Sequence, residues 1–459
     1  MAGKTYEMDM TEGPLLKKIV RFSLPVVLMG LLQFLYSAAD MIVAGKFAGS
    51  DALAAVGSTS SLINLIVALF LGVSVGVSVA VAQHYGAKEY DAVEKTVHTA
   101  VFVALLGGVI LGAFGFCMSR AFLAWMDSPA DVIEQAALYM RIYFVGLPML
   151  MLYNFGASVL RAVGDTKRPM YYLIIASVIH IALNLILVIR FKLGVAGVAW
   201  ATVVSETLSA VLVINCLIQT PGPCKLKLDK LAVDWGKLGE MMRIGLPAGL
   251  QSAIFSISNV LIQSSINSFG SIAMAGSSAA GNLENFIYIS MSGVSQSALT
   301  FVSQNVGAKK YERIGASVRY CIGLVCLIAA VTGAVIILFR TGLLSLYNAD
   351  PGVIEYGGVR LLIIGPSYFL CGVMEVYTGG LRGMGRSFTP MLVTAFGACG
   401  VRILWLMTVF AHWHTTASIF ISYPVSWLIT LLVQMLCFNA VKKEITGRGR
   451  ELPAAESAR

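Results

Sequence analysis

The phrase AQHYGAKEYD at 82–91 occurs a second time, with small changes, as SQNVGAKKYE at 303–312. Three further phrases repeat at nearly the same spacing of 221 or 222 residues. They are RFSLP at 21–25 with RIGLP at 243–247, DSPADVI at 127–133 with ADPGVIE at 349–355, and LRAVGDTKRPM at 160–170 with LRGMGRSFTPM at 381–391. Four matches at one spacing indicate a chain made of two homologous halves.

The composition indicates a protein that lies in a membrane. Of the 459 residues, 57% are hydrophobic and only 12% are charged, whereas soluble domains carry about 25% charged residues. The chain has long apolar runs, and about 20 apolar residues suffice for a helix to span a bilayer. The N-terminal MAGKTYEMDMTEGPLLKK lacks the apolar core and cleavage site of a signal peptide. We therefore expect an all-α integral membrane protein.

Twelve membrane-spanning helices are predicted, so that both ends of the chain lie on one side. The spans are 17–46, 53–82, 95–119, 130–159, 168–190, 195–219, 240–268, 273–304, 315–339, 352–380, 389–411 and 416–440. Most of the 33 lysines and arginines fall in segments on the side of the N-terminus, and the positive-inside rule makes that side the cytoplasm. Basic loops that face anionic lipid also explain the net charge of +9 without a nucleic-acid partner.

Each half holds six spans, so both halves enter the membrane in the same orientation. The predicted architecture is two six-helix lobes related by a parallel pseudo-two-fold repeat, a plan known among transporters. We expect a cytoplasmic N-terminal tail at 1–16, an N-lobe at 17–219, a cytoplasmic linker at 220–239, a C-lobe at 240–440 and a cytoplasmic C-terminal tail at 441–459.

Asp40 is the leading candidate for a functional carboxylate. An ionisable side chain in a span costs roughly 2.5–3.5 kcal/mol on insertion scales, so it needs a reason to be there. Gln33, Tyr36 and Asp40 share one face of the first span because of their helical spacing. This polar stripe predicts a carboxylate that faces a cavity and binds a proton or a sodium ion. The alternative is a structural acid that is bonded to neighbouring hydroxyls.

The second half carries polar faces of its own. Glu284 and Tyr288 lie in the eighth span and Glu375 in the tenth, where they contact either substrate or ion, or bond to neighbouring helices. Acids beside tyrosines favour an organic cation. Asn259 and Gln263 in the seventh span indicate either the wall of a wet cavity or hydrogen bonding between helices.

The ionisable residues do not follow the repeat. At the repeat spacing Asp40 corresponds to Leu261 or Ile262, so the halves share a scaffold but differ in chemistry. Glu206 in the sixth span has few polar neighbours. Arg402 in the eleventh is expected to pair with an acid that the sequence does not identify. We infer that ion coupling and substrate contact are divided between the lobes.

Motifs for catalysis, metal binding and nucleotide binding are missing from the sequence. There is no HExxH, GxSxG or Walker loop, and the eight cysteines form no CxxC. We therefore expect neither an enzyme nor a cofactor, and any pumping has to draw on an ion gradient. An intramembrane enzyme would need clustered His, Asp and Glu, and a channel would more usually gain its symmetry by oligomerisation.

Taken together, the motifs resemble those of the multidrug and toxic compound extrusion (MATE) transporters. The resemblance covers about 15–440 and rests on DMIVAGKFAG at 40–49, AVGS at 55–58 and the two pairs of repeated loops. It implies a monomer in a bacterial-type plasma membrane, in contact with lipid. It also implies export of cationic or amphiphilic organic compounds in exchange for Na+ or H+, by rocking one lobe against the other.

The resemblance also implies roles for single residues. Asp40 matches the first-helix acid that the family uses for ion coupling. HIALN at 180–184 stands where one branch reads N-x-x-L-D, which places His180 and Asn184 at the ion-coupling site. Glu375 falls near a tenth-helix acid of the NorM-like branch, and Glu284 resembles an eighth-helix acid of some bacterial members.

A flippase for a lipid-linked saccharide or cell-wall precursor is the main alternative, because the wider superfamily contains such proteins. Flippases tend to carry extra helices or a basic cavity that holds a pyrophosphate. Twelve spans and an acidic interior of the C-lobe therefore favour the exporter.

Overall fold

The computed structural model describes residues 6–126 and 132–456 and shows helices and no strands in these ranges. Each predicted span corresponds to a long helix. The helices are α1 Leu15–Ala48, α2 Ser50–Gly86, α3 Tyr90–Trp125, α4 Ile133–Ala162, α5 Lys167–Arg190, α6 Gly194–Gln219, α7 Trp235–Asn267, α8 Ser271–Gly307, α9 Tyr311–Leu338, α10 Pro351–Gly383, α11 Phe388–Phe410 and α12 Thr416–Glu456. A short helix, Arg340–Ser345, lies between α9 and α10. The prediction of twelve long helices is confirmed.

One of the long helices is more polar than the others. Eleven of the described helices are long and apolar enough to cross a bilayer, and α8 is the one that falls short. Its polar residues are largely buried, among them Ser277, Glu284, Ser297 and Gln304. Lipid therefore does not meet these groups, and α8 has the same length of 37 residues as α2, its counterpart in the repeat. We treat α8 as the twelfth span.

The doubled phrase forms the same helix end in both halves. At the end of α2, the Glu89 N–H donates to the carbonyl of His84 at 2.9 Å, and the Lys88 N–H donates to that of Tyr85 at 3.1 Å. The second copy makes the same two bonds at the same lengths. This is the Schellman motif, whose left-handed position usually holds glycine. Here it holds Lys88 and Lys309, with φ of 62° and 56°.

The other repeated loop uses glycine at the same position of the motif. Gly164 and Gly385 have φ of 90° and 77°. The amide that follows each glycine bonds to the carbonyl five residues earlier, at 2.9 and 3.0 Å. The phrase DSPADVI falls mainly at 127–131, outside the described residues. In its counterpart, Asp350 caps α10 by accepting from the Gly352 amide at 2.7 Å.

The chain forms two compact units that differ from the two sequence halves. Residues up to Asp9 and Leu28–Gly249 make the first unit, and Met10–Val27 and the residues from Leu250 onward make the second. The change of unit comes two residues after Pro25 in α1 and two residues after Pro247 in α7. Proline inside a helix removes a backbone hydrogen bond. The start of α1, which belongs to the first sequence half, is thus part of the second unit. The start of α7, which belongs to the second sequence half, is part of the first unit.

Inside the first unit, α2 and α7 pack through glycines. A β-carbon added at Gly245 would lie 2.5 Å from the Val73 Cα, and one added at Gly249 would lie 2.6 Å from the Leu69 carbonyl oxygen. A β-carbon at Gly72 would collide with the backbone of Gly249. Such spacing of small residues lets membrane helices approach closely where the hydrophobic effect does not drive them together.

The glycine crossing predicts a large difference between two Gly→Ala variants. Gly72→Ala should lower the free energy of unfolding by about 1–3 kcal/mol or more, because the backbones of α2 and α7 must separate. Gly323→Ala is the control, since a β-carbon there meets no atom within 4 Å. It should leave stability unchanged or raise it by about 1 kcal/mol. Thermal unfolding in detergent measures both, and equal effects would contradict the crossing.

Because Lys88 and Lys309 adopt the left-handed conformation, we expect replacement of either by glycine to stabilise the protein. Lys88→Gly should raise the free energy of unfolding by up to about 1 kcal/mol, because the left-handed conformation is costly for a residue with a β-carbon. Lys88→Ala keeps that carbon and should bring no gain. The same comparison applies at Lys309. If alanine stabilised as much as glycine, the effect would come from the lost charge instead.

Candidate functional site

Asp40 is the centre of a buried polar cluster in the first unit. Its side chain lies on α1 and the residue is 6% exposed. The Asn184 Nδ2–H donates to Asp40 Oδ1 at 2.6 Å, and His180 Nε2 lies 3.0 Å from the same oxygen. The Thr202 hydroxyl donates to Oδ2 at 3.1 Å. Groups from α5 and α6 thus hold both oxygens of a carboxylate on α1.

Helical spacing positions the members of this cluster. His180 and Asn184 are four residues apart on α5 and therefore share one face. Tyr36 lies one turn before Asp40, and its ring stacks on that of His180 with 4.1 Å between centroids. Beyond these residues, both helices end in a π-helical turn, at Ala44–Ala48 in α1 and Ile186–Arg190 in α5. Such turns are frequent at functional sites.

The cluster is fully suited to an ionised Asp40 but leaves His180 incompletely bonded. An ionised carboxylate only accepts hydrogen bonds, and Asn184, Thr202 and an Nε2–H of His180 all donate. His180 Nδ1 has no hydrogen-bond partner among the residues that the structure describes, although the residue is fully buried. The imidazole of His180 and the carboxylate of Asp40 are thus in direct contact.

The sequence-predicted residues of the first half are only partly brought together. Asp40, His180, Asn184 and Tyr36 meet as expected, while Gln33 is exposed and is not part of the cluster. Thr202 was not predicted. A threonine in an apolar span gives no signal of its own, and only its place one turn before the half-buried Glu206 pointed to this face of α6.

Glu284, in the second unit, is not a free acid. The Arg360 Nε–H and Nη2–H donate to its two oxygens at 3.0 and 2.8 Å. Arg360 Nη1–H donates to the Ser277 hydroxyl at 2.7 Å, and the Tyr368 hydroxyl approaches Glu284 at 3.4 Å. Of the two alternatives that the sequence left open for Glu284, the structure shows polar bonding between helices, because a bidentate guanidinium occupies both oxygens.

A cavity of about 500 Å³ lies next to this ion pair. Asn259, Gln263 and Tyr288, which the sequence assigned to a cavity, are on its wall together with Glu284. Glu375 is half-buried and is not among the residues that line the cavity. The wall also includes Arg402, which is completely buried.

Arg402 has a hydroxyl and aromatic rings as its neighbours. Its Nε–H donates to the Ser426 hydroxyl at 2.9 Å, and its guanidinium lies 4.2 Å from the centroid of the Tyr423 ring. Trp427 and Phe255 are at 5.6 and 5.4 Å. Within the described residues, neither Nη1 nor Nη2 has a hydrogen-bond partner. The partner that the sequence could not identify is thus an aromatic cage.

Metal ligands do not gather in the described part of the chain. No group of three His, Cys, Asp or Glu is placed to hold a metal ion there, and the eight cysteines are free. The contacts that the structure shows among the site residues are hydrogen bonds and ion pairs.

Comparison with known proteins identifies relatives over nearly the full length. The sequence model of the MatE family matches the chain twice, at residues 25–186 and 247–408. These two matches confirm the repeat. The probable multidrug resistance protein YoeA of Bacillus subtilis is 29% identical over 93% of this chain and 94% of its own. An FAD transporter of Shewanella oneidensis is 24% identical over 83% of this chain and 85% of its own.

The fold is also that of a solved transporter. A multidrug resistance MATE family transporter of the MOP superfamily, in an outward-facing conformation, matches with a TM-score of 0.89 at 22% identity. The match covers 95% of this chain and 98% of that one. The architecture of two homologous six-helix halves is thereby confirmed.

The ion pair of Glu284 predicts a characteristic pattern of stability. Arg360→Gln should lower the free energy of unfolding by about 3–5 kcal/mol, because it leaves a buried carboxylate unpaired. Adding Glu284→Gln to that variant should restore most of the loss. Unfolding of the two variants in detergent provides the measurement. A double variant that is no more stable than Arg360→Gln would contradict a structural pair.

Proposed function

The chain belongs to the MatE family of multidrug efflux transporters, and from this we propose that it is a secondary antiporter that exports amphiphilic organic compounds in exchange for protons. The family places the protein among multi-pass membrane transporters, which in bacteria lie in the plasma membrane. The observation that carries the proposal is the buried contact of 3.0 Å between the Asp40 carboxylate and the His180 imidazole. We further propose that both termini lie in the cytoplasm, as the charge distribution indicates, and that the protein is a monomer.

The donors around Asp40 favour a proton over Na+ as the coupling ion. Hard cations are held by several oxygen ligands, but Asn184 presents its amide nitrogen to Asp40 and His180 presents a ring nitrogen. Thr202 offers an oxygen, a hydroxyl 3.1 Å from Asp40 Oδ2, but one hydroxyl falls short of such a ligand set. A proton needs no such set of ligands, because it binds to the carboxylate or to the imidazole itself.

Proton binding would change how α1 is held. When Asp40 is ionised, three donors from α5 and α6 bond to it with charge assistance, which makes such bonds roughly twice as strong. A proton on Asp40 removes the charge and takes one oxygen out of this acceptor set. The bonds that hold α1 to α5 and α6 then weaken. Because α1 contains Pro25 and ends in a π-helical turn, it is the helix best suited to take two arrangements.

The substrate class is proposed as amphiphilic without a requirement for positive charge. The two acids in the second half led us to expect cations among the substrates. Glu284 is neutralised by Arg360 and Glu375 is not on the cavity wall. One relative is called an FAD transporter, so a substrate with phosphate groups is compatible with the family.

A flippase for a lipid-linked saccharide or cell-wall precursor is the second candidate. One observation favours it, namely that the cavity of the second unit has an arginine, Arg402, without a carboxylate partner among the described residues. Precursors of this kind carry a pyrophosphate, which prefers a basic cavity. Anionic lipid is therefore included in the experiments below.

Proteoliposomes with an imposed gradient test the proposal. Two xanthene dyes of opposite charge, rhodamine 123 and fluorescein, are offered to vesicles with an acidic interior, at a membrane potential clamped to zero. The dye that is a substrate should accumulate inside, because protons leave down their gradient. A sodium gradient alone should drive no accumulation. Dye is quantified after the vesicles are collected.

Asp40→Asn should reduce accumulation to the level of protein-free vesicles, because an amide cannot bind the coupling proton. Asp91→Asn is the matched control, since Asp91 is an exposed acid near the start of α3, and it should transport like the original protein. Accumulation driven by Na+ alone, or retained in Asp40→Asn, would contradict proton coupling. Lipid-precursor movement without any dye movement would favour the flippase.

A further inference from the structure

We propose that the cavity of the second unit binds an amphiphilic organic anion, whose charge is recognised by Arg402. The inference rests on the proposed export function and specifies its substrate: a flat aromatic body that carries a carboxylate, sulfonate or phosphate group. The cavity of about 500 Å³ has the size of a site for a drug-like molecule.

The described wall of the cavity carries a net positive charge. Among the described residues that line it, the charged ones are Glu284, Arg360 and Arg402. Glu284 and Arg360 neutralise each other through two hydrogen bonds. Arg402 is left as an uncompensated positive charge, because its side-chain bond goes to the neutral Ser426 hydroxyl. A charge buried without a counter-ion is costly, so an anion in the cavity would gain from its field.

Arg402 has hydrogen-bonding capacity that no described residue uses. A guanidinium has five N–H donors in a planar fork that matches carboxylate and phosphate oxygens. Only the Nε–H has a partner, and the two amino groups of the completely buried side chain have none among the described residues. Arg402 is on the cavity wall, so a rotation of its side chain would bring these amino groups to the oxygens of an anionic group that enters the cavity.

The aromatic rings of Tyr423 and Trp427 already have a cation, Arg402, over their faces. The faces of Tyr423 and Trp427 would be the natural place for a positively charged ligand. Arg402 itself lies over these rings, at 4.2 and 5.6 Å from their centroids. A cationic ligand would have to compete with Arg402 for the ring faces and would be repelled by its charge. An anionic ligand would instead be attracted by the positive charge of Arg402.

The rest of the wall fits the body of such a ligand. Tyr288 and Tyr368 supply further aromatic surface for a flat ring system, and the amides of Asn259, Gln263 and Asn282 supply donors for its oxygens. A mixture of aromatic surface and a few convergent polar groups is typical of small-molecule sites. The ligand is thus held by stacking and by one central charge.

Binding of the dye pair to the purified full-length protein tests the inference. Fluorescein is a dianion and rhodamine 123 a monocation at pH 8, and both have a xanthene body, so fluorescence polarisation in detergent compares charge at similar shape. The protein should bind fluorescein more tightly. Arg402→Gln should weaken fluorescein binding about 10-fold to 100-fold, as expected for the loss of a charged hydrogen-bonding partner, and should not weaken rhodamine 123. Arg190→Gln, an exposed arginine of the first unit, is the charge control and should bind like the original protein.

A second variant keeps the test independent of the folding of Arg402→Gln. Asn259→Asp adds a negative charge to the wall without touching the cage and should shift the preference from fluorescein towards rhodamine 123. Tighter binding of rhodamine 123 by the original protein, or fluorescein binding that neither variant changes, would overturn the inference. Displacement of fluorescein by phosphatidylglycerol, but not by a soluble aromatic carboxylate, would also overturn it and favour a lipid ligand.

The inference and the proposed function can fail separately. Dye binding is measured without a gradient, so fluorescein binding can be detected even in a protein that transports nothing. Asp91→Asn, the control variant of the transport experiment, should bind fluorescein as tightly as the original protein. Fluorescein bound through Arg402 but not moved by a proton gradient would contradict the proposed function alone. Proton-driven accumulation of rhodamine 123 that persists in Arg402→Gln, with no fluorescein binding, would contradict the inference alone.

Discussion

The constraint on which this structure depends is that an ionisable group in a membrane helix must find its partners inside the protein. Lipid offers neither water nor counter-ions, so each such side chain needs hydrogen-bond or charge partners from neighbouring helices. Asp40 is held by donors from α5 and α6, and Glu284 by the guanidinium of Arg360. Arg402 is held by aromatic rings instead of an acid. The three cases differ in their result. Asp40 is the carboxylate that we propose takes up a proton, Glu284 and Arg360 form a neutral pair, and Arg402 keeps an unpaired positive charge.

The scaffold that carries these groups was largely predictable from the sequence. Helix ends have local signals, and the doubled phrase encodes a complete Schellman motif within six residues. Apolar length sets the spans, although α8 shows that buried polar residues can lower hydropathy without removing a helix. The repeat itself predicted two equivalent halves. What it did not predict is the exchange near Pro25 and Pro247, because repeats record the homology of segments and not their contacts.

The candidate site was predictable only where its residues share a helix. Tyr36 with Asp40, and His180 with Asn184, follow from spacing alone. The pairing of Glu284 with Arg360 joins positions 76 residues apart on different helices. It depends on how each helix is rotated about its axis, for which a single sequence gives no rule. Arg402 is a similar case, since an aromatic cage has no motif. The sequence led us to expect cationic or amphiphilic substrates, whereas the neutralised Glu284 and the unpaired charge of Arg402 are the basis for inferring an organic anion.

The central claim is that the pair formed by Asp40 and His180 takes up the coupling proton. Infrared difference spectroscopy of the protein in lipid, recorded as the pH is lowered, observes the stretching band of a protonated carboxyl group directly. The account predicts a band that appears on acidification, is missing in Asp40→Asn, persists in Asp91→Asn and does not depend on Na+. A band that Asp40→Asn leaves unchanged, or one that Na+ suppresses by competing for the site, would contradict it.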